Sequence, residues 1–379
     1  MKILYTNFHD GDGGGHTTYI LALACGLGGR HRIHVAAPPR SRLLAGARAL
    51  EGVVAVPQPF PNGLRRLAAR RRARAHLREL LRDERFDLVH VNGSADHRLV
   101  LSALRGLPER PRIVFTKHNS KPVSGLGAWW RARHGTDRVI AVCEDTRQRL
   151  LATAYGHLPV EVVANGVDLA HYHPWPDPAR LAARRQWLGG DDDVLLLGSN
   201  AGTATYKGWM DLVEALALLP ESACARVRVL LAGQPPAADA LARIQALGLA
   251  GHVRFAGLLD DIRPLVAAID AGFVLSWDVE TISFACREMM AMGKPVLVSD
   301  YAGLPENIEP GVDGWIVPVR SPPRVADAIL RMLDARDQLP AMAAAARAHA
   351  ERAFGIERFI DATEAVYLRT VAGRSGTSS

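Results

Sequence analysis

Short runs of consecutive apolar, often β-branched residues recur along the chain, separated by longer stretches of helical character. Up to about residue 165 the runs are Lys2–Asn7, Arg32–Ala36, Val53–Val56, Asp87–Val91, Arg112–Thr116, Arg138–Val142 and Val160–Val163. Strands separated by helices predict a parallel, doubly wound sheet. Around Asn165–Pro178 the text changes to Asn-Gly-Val-Asp and then to Pro174, Pro176 and Pro178, the composition of a turn and a linker. The alternation restarts with Asp193–Leu197, Arg226–Ala232, Val253–Ala256, Gly272–Ser276, Pro295–Ser299 and Trp315–Val317. Three helical stretches without further strands follow, Val325–Ala335, Leu339–Arg352 and Ile356–Ala372.

The expected organisation is therefore an N-terminal α/β domain over 1–170 and a second over 171–355. A helix over 356–372 is expected to pack back on the first domain, and 373–379 to form a disordered tail. Two tandem doubly wound domains predict a ligand-holding cleft at the carboxyl ends of their strands. The motifs fall in strand-to-helix loops, where that rule needs them.

Composition supports this picture. With 379 residues, 48% apolar and 22% charged, the chain has material for two globular cores. Cys25, Cys143, Cys224 and Cys286 lie far apart with no C-x-x-C pair, so neither a zinc knuckle nor a disulfide framework is expected. The first residues read as a strand entering a glycine loop rather than a signal peptide, and no apolar run approaches the roughly 20 residues of a membrane span. A cytoplasmic protein, or one peripheral on the inner face of the cytoplasmic membrane, is expected.

The formal charge is +7 and arginine outnumbers lysine 41 to 5, a skew that a GC-rich genome produces without functional cause. Its distribution says more. Arg65–Arg85 holds nine arginines against three acids, with Leu64, Leu67, Leu77, Leu80 and Leu81 at near-helical spacing. A basic amphipathic helix suits an anionic membrane surface, and a solvated helix face is the equal alternative. No nucleic-acid module and no basic run interleaved with aromatics accompanies it, so no nucleic-acid partner is expected.

Two motifs carry chemistry. Gly11-Asp12-Gly13-Gly14-Gly15 follows the opening strand and leads into a helix, where close backbone approach and free amides suit an anion or a sugar ring. Its spacing does not fit G-x-G-x-x-G, and a tight turn is the alternative reading. The stronger motif is Glu280-Thr-Ile-Ser-Phe-Ala-Cys-Arg-Glu288, after a strand. Glu280 is expected in the loop and Glu288 two turns into the next helix, with Ser283 as its cap. Alone, such glutamates are mostly a solvated face.

Their context reverses that. The chain resembles the family 4 retaining glycosyltransferases of the GT-B fold, whose donor-site signature is E-x7-E. The matching text is Glu280–Glu288, then Met-Met-Ala-Met-Gly-Lys-Pro-Val-Leu-Val-Ser-Asp300, Ala302-Gly-Leu-Pro-Glu306 and Gly314-Trp-Ile-Val-Pro318. Asn165-Gly-Val-Asp168 matches the family's turn before the linker. The resemblance implies two facing Rossmann-like domains, with the acceptor on the first and the donor on the second.

It further implies that His118, Lys207 and Glu280 are catalytic. Lys207 would neutralise the diphosphate, Glu280 would hold hydroxyls of the transferred sugar, and His118 would contact that sugar. Gly14, Gly15, Asn200, Thr281, Ile282, Ser283, Phe284 and Glu288 would bind the donor, Glu288 through the ribose. No metal and no cofactor is expected; the partners are a UDP-, GDP- or ADP-sugar and a glycan or lipid-linked acceptor of the cell envelope. The chain departs from the family in having no arginine a few residues before Lys207, and Thr281 and Ser283 where glycines are usual. Rival expectations are a nucleotide-sugar epimerase or sugar phosphorylase on the same fold, and a non-catalytic basic binder.

Overall fold

A computed structural model describes residues 1–11, 13–63, 66–190 and 193–373. Asp12, Leu64, Arg65 and all but the first residue of the expected tail lie outside them. The chain divides into two compact units, Met1–Asn165 with Ile356–Ser379, and Gly166–Gly355.

The first unit holds β1 (Lys2–Thr6), β2 (Arg32–Ala37), β3 (Val53–Pro57), β4 (Leu88–Val91), β5 (Arg112–Lys117), β6 (Arg138–Ala141) and β7 (Val160–Val162). All pairings are parallel, in the order β3-β2-β1-β4-β5-β6-β7. Successive side chains alternate faces. Leu4, Val89, Ile113 and Phe115 meet Leu77, Leu81, Val100 and Leu104 in one core. On the other face Tyr5 and His90 meet Tyr367 of the helix Ile356–Ala372, whose hydroxyl bonds His90 Nδ1 at 2.6 Å. Gly26, on the helix Gly14–Leu27, permits that last helix to approach: a Cβ there would lie 2.3 Å from Ile360.

The second unit holds β8 (Leu195–Ser199), β9 (Val227–Ala232), β10 (Val253–Gly257), β11 (Ala271–Val274), β12 (Val296–Ser299) and β13 (Gly314–Val317). Its order is β10-β9-β8-β11-β12-β13, again all parallel. Strands such as Leu195–Ser199 and Val296–Ser299 are buried throughout, as sheets covered by helices on both faces require. The unit begins at its join with its own last residues: the Val167 amide donates to the Phe354 carbonyl at 2.8 Å, and Val167 is buried.

In both sheets the winding reverses beside the first strand of the unit, between β1 and β4 and between β8 and β11. Loops leaving the carboxyl ends of those strands flank the crevice where such sheets hold ligands.

Candidate functional site

In the second unit, β8 ends at Ser199 and its loop carries Asn200 and, on the 3-10 turn Thr205–Lys207, the lysine. Gly208 follows with φ of 68° and caps the helix Trp209–Leu216. A Cβ on Gly208 would lie 1.9 Å from the Leu275 carbonyl oxygen, so only glycine lets this loop cross the end of β11. The Trp277 amide donates to the Tyr206 carbonyl at 2.9 Å, and the Trp209 indole to the Thr203 carbonyl at 2.9 Å. The lysine is thus carried on a braced loop.

The loop after β11 is equally constrained. Val279 and Ser283 both have φ of 53°, a region that costs an L-residue of order 1 kcal/mol or more. Ser283 nevertheless caps the helix Phe284–Ala291, accepting from the Cys286 amide at 3.4 Å. From below, the Asn307 amide donates to the Ile282 carbonyl at 2.8 Å, and its oxygen accepts from Arg287 Nε at 2.8 Å. This gives the Gly-Leu-Pro-Glu stretch before Asn307 a supporting task.

On this frame Lys207 Nζ lies 2.7 Å from Glu280 Oε2, and Asn200 Nδ2 donates to Glu288 Oε2 at 2.7 Å. The helix starts at Phe284, after the expected Ser283 cap, and Glu288 therefore sits one turn into it, not two. Burial pushes its carboxyl up to about 7, against the downward pull of Asn200 and Tyr172. Asn200 Oδ1 is buried and makes no hydrogen bond. Thr281 and Ser283 lie in the loop, Phe284 is half-buried, and the Ile282 side chain points into the core.

In the first unit Gly14 and Gly15 form the exposed first turn of the helix after the glycine loop, and His118 follows β5. Asn92, directly after β4, bonds His118 Nε2 through Oδ1 at 2.8 Å. The Asn92 amide nitrogen donates to the Thr6 and His90 carbonyls at 3.1 and 3.3 Å. That fixes which end of the amide faces His118, so Nε2 must carry the proton. His118 also stacks with His16 at 4.3 Å between centroids and meets Tyr19 edge-on at 4.5 Å; His16 meets His9 at 4.6 Å. Burial, with the neighbouring histidines and Lys117, holds His118 well below its ordinary pKa, and burial with His9 and Lys117 brings His16 to about 3. The cluster is neutral at physiological pH.

Asn92, His9, His16 and Tyr172 were not singled out from the sequence. Asn92 carried a legible signal, since it ends a strand beside the topological switch. The others depend on pairings that no local motif announces.

The profile described as Glycosyltransferase Family 4 matches residues 13–171, and that described as Glycosyl transferases group 1 matches residues 192–335. The GDP-mannose-dependent alpha-(1-6)-phosphatidylinositol monomannoside mannosyltransferase of Mycobacterium tuberculosis is 31% identical over 286 residues, 72% of this chain and 73% of that one. The chain belongs to the family 4 glycosyltransferases. A second relative, the phosphatidyl-myo-inositol mannosyltransferase of Mycobacterium leprae, is 27% identical over 84% of each chain. Anabaena HepE, solved in complex with UDP, superposes with a TM-score of 0.80 at 22% identity, over 97% of this chain and 99% of that one. This family 4 member is thus a glycosyltransferase, and its two parallel sheets have the GT-B fold. Among its described residues no helix is long and apolar enough to cross a membrane.

Proposed function

We propose that this glycosyltransferase moves a sugar, with retention of anomeric configuration and without a metal, from a nucleotide-diphosphate sugar to a glycan or lipid-linked acceptor of the cell envelope. One observation carries the reading: Lys207 beside Glu280, and Glu288 beside Asn200, stand on the loops that leave the two central strands of the second sheet and on the helix that follows one of them. Glu288 and the unpartnered Asn200 Oδ1 are adjacent acceptors, the complement of a ribose diol. Lys207 and the amides at the start of the helix Phe284–Ala291 face the diphosphate, where negative charge grows as the anomeric bond breaks. Glu280 holds hydroxyls of the transferred sugar and keeps Lys207 in place. Neither glutamate acts as a nucleophile.

In the first unit the same reading gives His118 a hydrogen bond to the transferred sugar, and Gly14 and Gly15 an approach to the phosphates. A neutral imidazole suits uncharged hydroxyls. The names of the relatives lend support: the tuberculosis enzyme is GDP-mannose-dependent and acts on a phosphatidylinositol mannoside, and HepE was solved with UDP and with UDP-glucose. The donor base is UDP, GDP or ADP, and the enzyme works in the cytoplasm, peripheral to the membrane.

A thermal-shift panel of nucleoside diphosphates tests the donor site. A cognate ligand at a hundred times its Kd adds about 2.7 kcal/mol to stability. Absence of a shift with every base, or a shift undiminished in Glu288→Ala, sinks the assignment. Turnover that persists in excess EDTA checks metal independence.

A further inference from the structure

The apolar stripe of the basic helix Leu67–Glu84 is already in use: Ala73, Leu77 and Leu81 are buried in the core of the first unit. Turning Leu77 and Leu81 out to a bilayer would leave cavities in that core. Beyond its charge the helix offers a membrane only the exposed Leu67 at its start, so most of the apolar part of a bilayer contact must come from elsewhere on this unit.

The helix Leu126–Gly135 supplies it. Leu126 is 87% exposed and Trp129 52% exposed, three residues apart on one face. Trp130 and His134 continue the stripe, and the His134 ring stands 5.9 Å from Trp129 and 5.8 Å from Trp130. Beside them Leu101, Leu104, Arg105, Arg110, Trp130 and His134 line a cavity of about 320 Å³. Its floor is apolar, its lining residues include two arginines and no carboxylate, and the Arg105 guanidinium lies 5.1 Å over the Trp130 ring. Arg78 of the basic helix donates to the Ala103 and Arg105 carbonyls at 2.9 and 2.5 Å, which fixes the turn that presents Arg105. The cavity lies where the helix Ser94–Leu104 leads into β5, at the amino ends of the strands and so at the opposite edge of the sheet from His118.

We propose that this cavity binds the phosphate headgroup of an anionic phospholipid, with Leu126 and Trp129 seated at the boundary between headgroups and acyl chains. Two guanidiniums lining one cavity match a phosphodiester in charge and in hydrogen-bond donors, and an amphipathic indole settles at that depth. The inference rests on the membrane-peripheral part of the proposed function and moves the contact from a charged helix face to a discrete pocket.

The test is flotation of the full chain with phosphatidylcholine vesicles, with and without phosphatidylglycerol. Arg105→Gln with Arg110→Gln is compared with Arg70→Gln and Arg72→Gln, which removes the same charge from the exposed face of the basic helix. The pocket pair is expected to lose at least about tenfold more binding to anionic vesicles than the helix pair, and Trp129→Ala about threefold. Diffuse attraction would make the two pairs equal, and equal losses, or a larger loss from the helix pair, overturn the proposal. So does displacement from vesicles by inorganic phosphate at the concentration of the accessible lipid, which would make a soluble anion the ligand. The nucleoside-diphosphate thermal shift is read on every variant: retained shifts with unchanged vesicle binding reject the pocket alone, while the donor-site reading stands.

Discussion

The carboxyl ends of the two sheets share a winding order and differ in chemistry. In the second unit the loops beside the switch carry ions: Lys207 against Glu280, and a Glu288 carboxyl raised to about 7. In the first they carry uncharged rings, with His118 clamped by Asn92, His16 and Tyr19 and kept neutral by burial. One topology supplies two kinds of platform, and the loop residues alone decide which. A charged end suits a leaving diphosphate; neutral, hydrogen-bonding imidazoles, with the cation of Lys117 beside them, suit a sugar.

The comparison breaks first at the ionic end. Lys207→Ala and Glu288→Ala should each lower kcat/KM for the donor at least tenfold, about 1.4 kcal/mol, in steady-state assays. If either variant retained wild-type kinetics, the second unit would lose its assigned role. Because Lys207 and Glu280 touch, the double variant Lys207→Ala, Glu280→Ala should fall short of the summed single effects by about 1 kcal/mol.

Acidity sharpens the contrast. The Glu288 carboxyl is raised in the folded chain, so folding takes up a proton between 4.5 and about 7, and its contribution to stability falls as pH rises through that window. On the proposed donor reading, affinity has the opposite sign, since ribose hydroxyls would donate best to the charged carboxylate. Titration calorimetry should show binding weakening about three- to tenfold from pH 8 to pH 6, and Glu288→Gln should flatten that slope. The smallest expected effect belongs to the first unit: the His16 and His118 imidazole resonances should not titrate between pH 5 and pH 8. A midpoint near 6.5 for either would erase the distinction between the ends.

Every strand of both sheets was legible in the sequence: central ones such as Leu195–Ser199 and Val296–Ser299 are buried throughout and written as near-continuous apolar runs, while half-exposed ones such as Val53–Pro57 and Val253–Gly257 show as short β-rich runs. Glu280 and Glu288 stood out by their spacing after a strand, and Lys207 only through the resemblance; that Lys207 touches Glu280 was not legible in either. The start of the helix Phe284–Ala291 was legible through Ser283 as its cap, but the depth of Glu288 was overcounted: from Phe284 it lies one turn in, at about 3.6 residues per turn. The helix Leu67–Glu84 showed its amphipathicity plainly, but periodicity reports that a face is apolar and not whether the fold has already covered it. Asn92 meets His118 across 26 positions and Asn200 meets Glu288 across 88, partnerships that exist only once the sheets are wound.

The helix Ile356–Ala372 completes the first unit although it follows the whole of the second. On the ribosome, where chain emerges at about 5–20 residues per second, the second unit has all its residues outside the exit tunnel before that helix appears. Until then Tyr5, Tyr19 and His90 lack the cover of Phe359 and Tyr367. The unit translated first is therefore finished last, and a nascent chain released even slightly early would present a chaperone with the open back of its first sheet beside a mature second one.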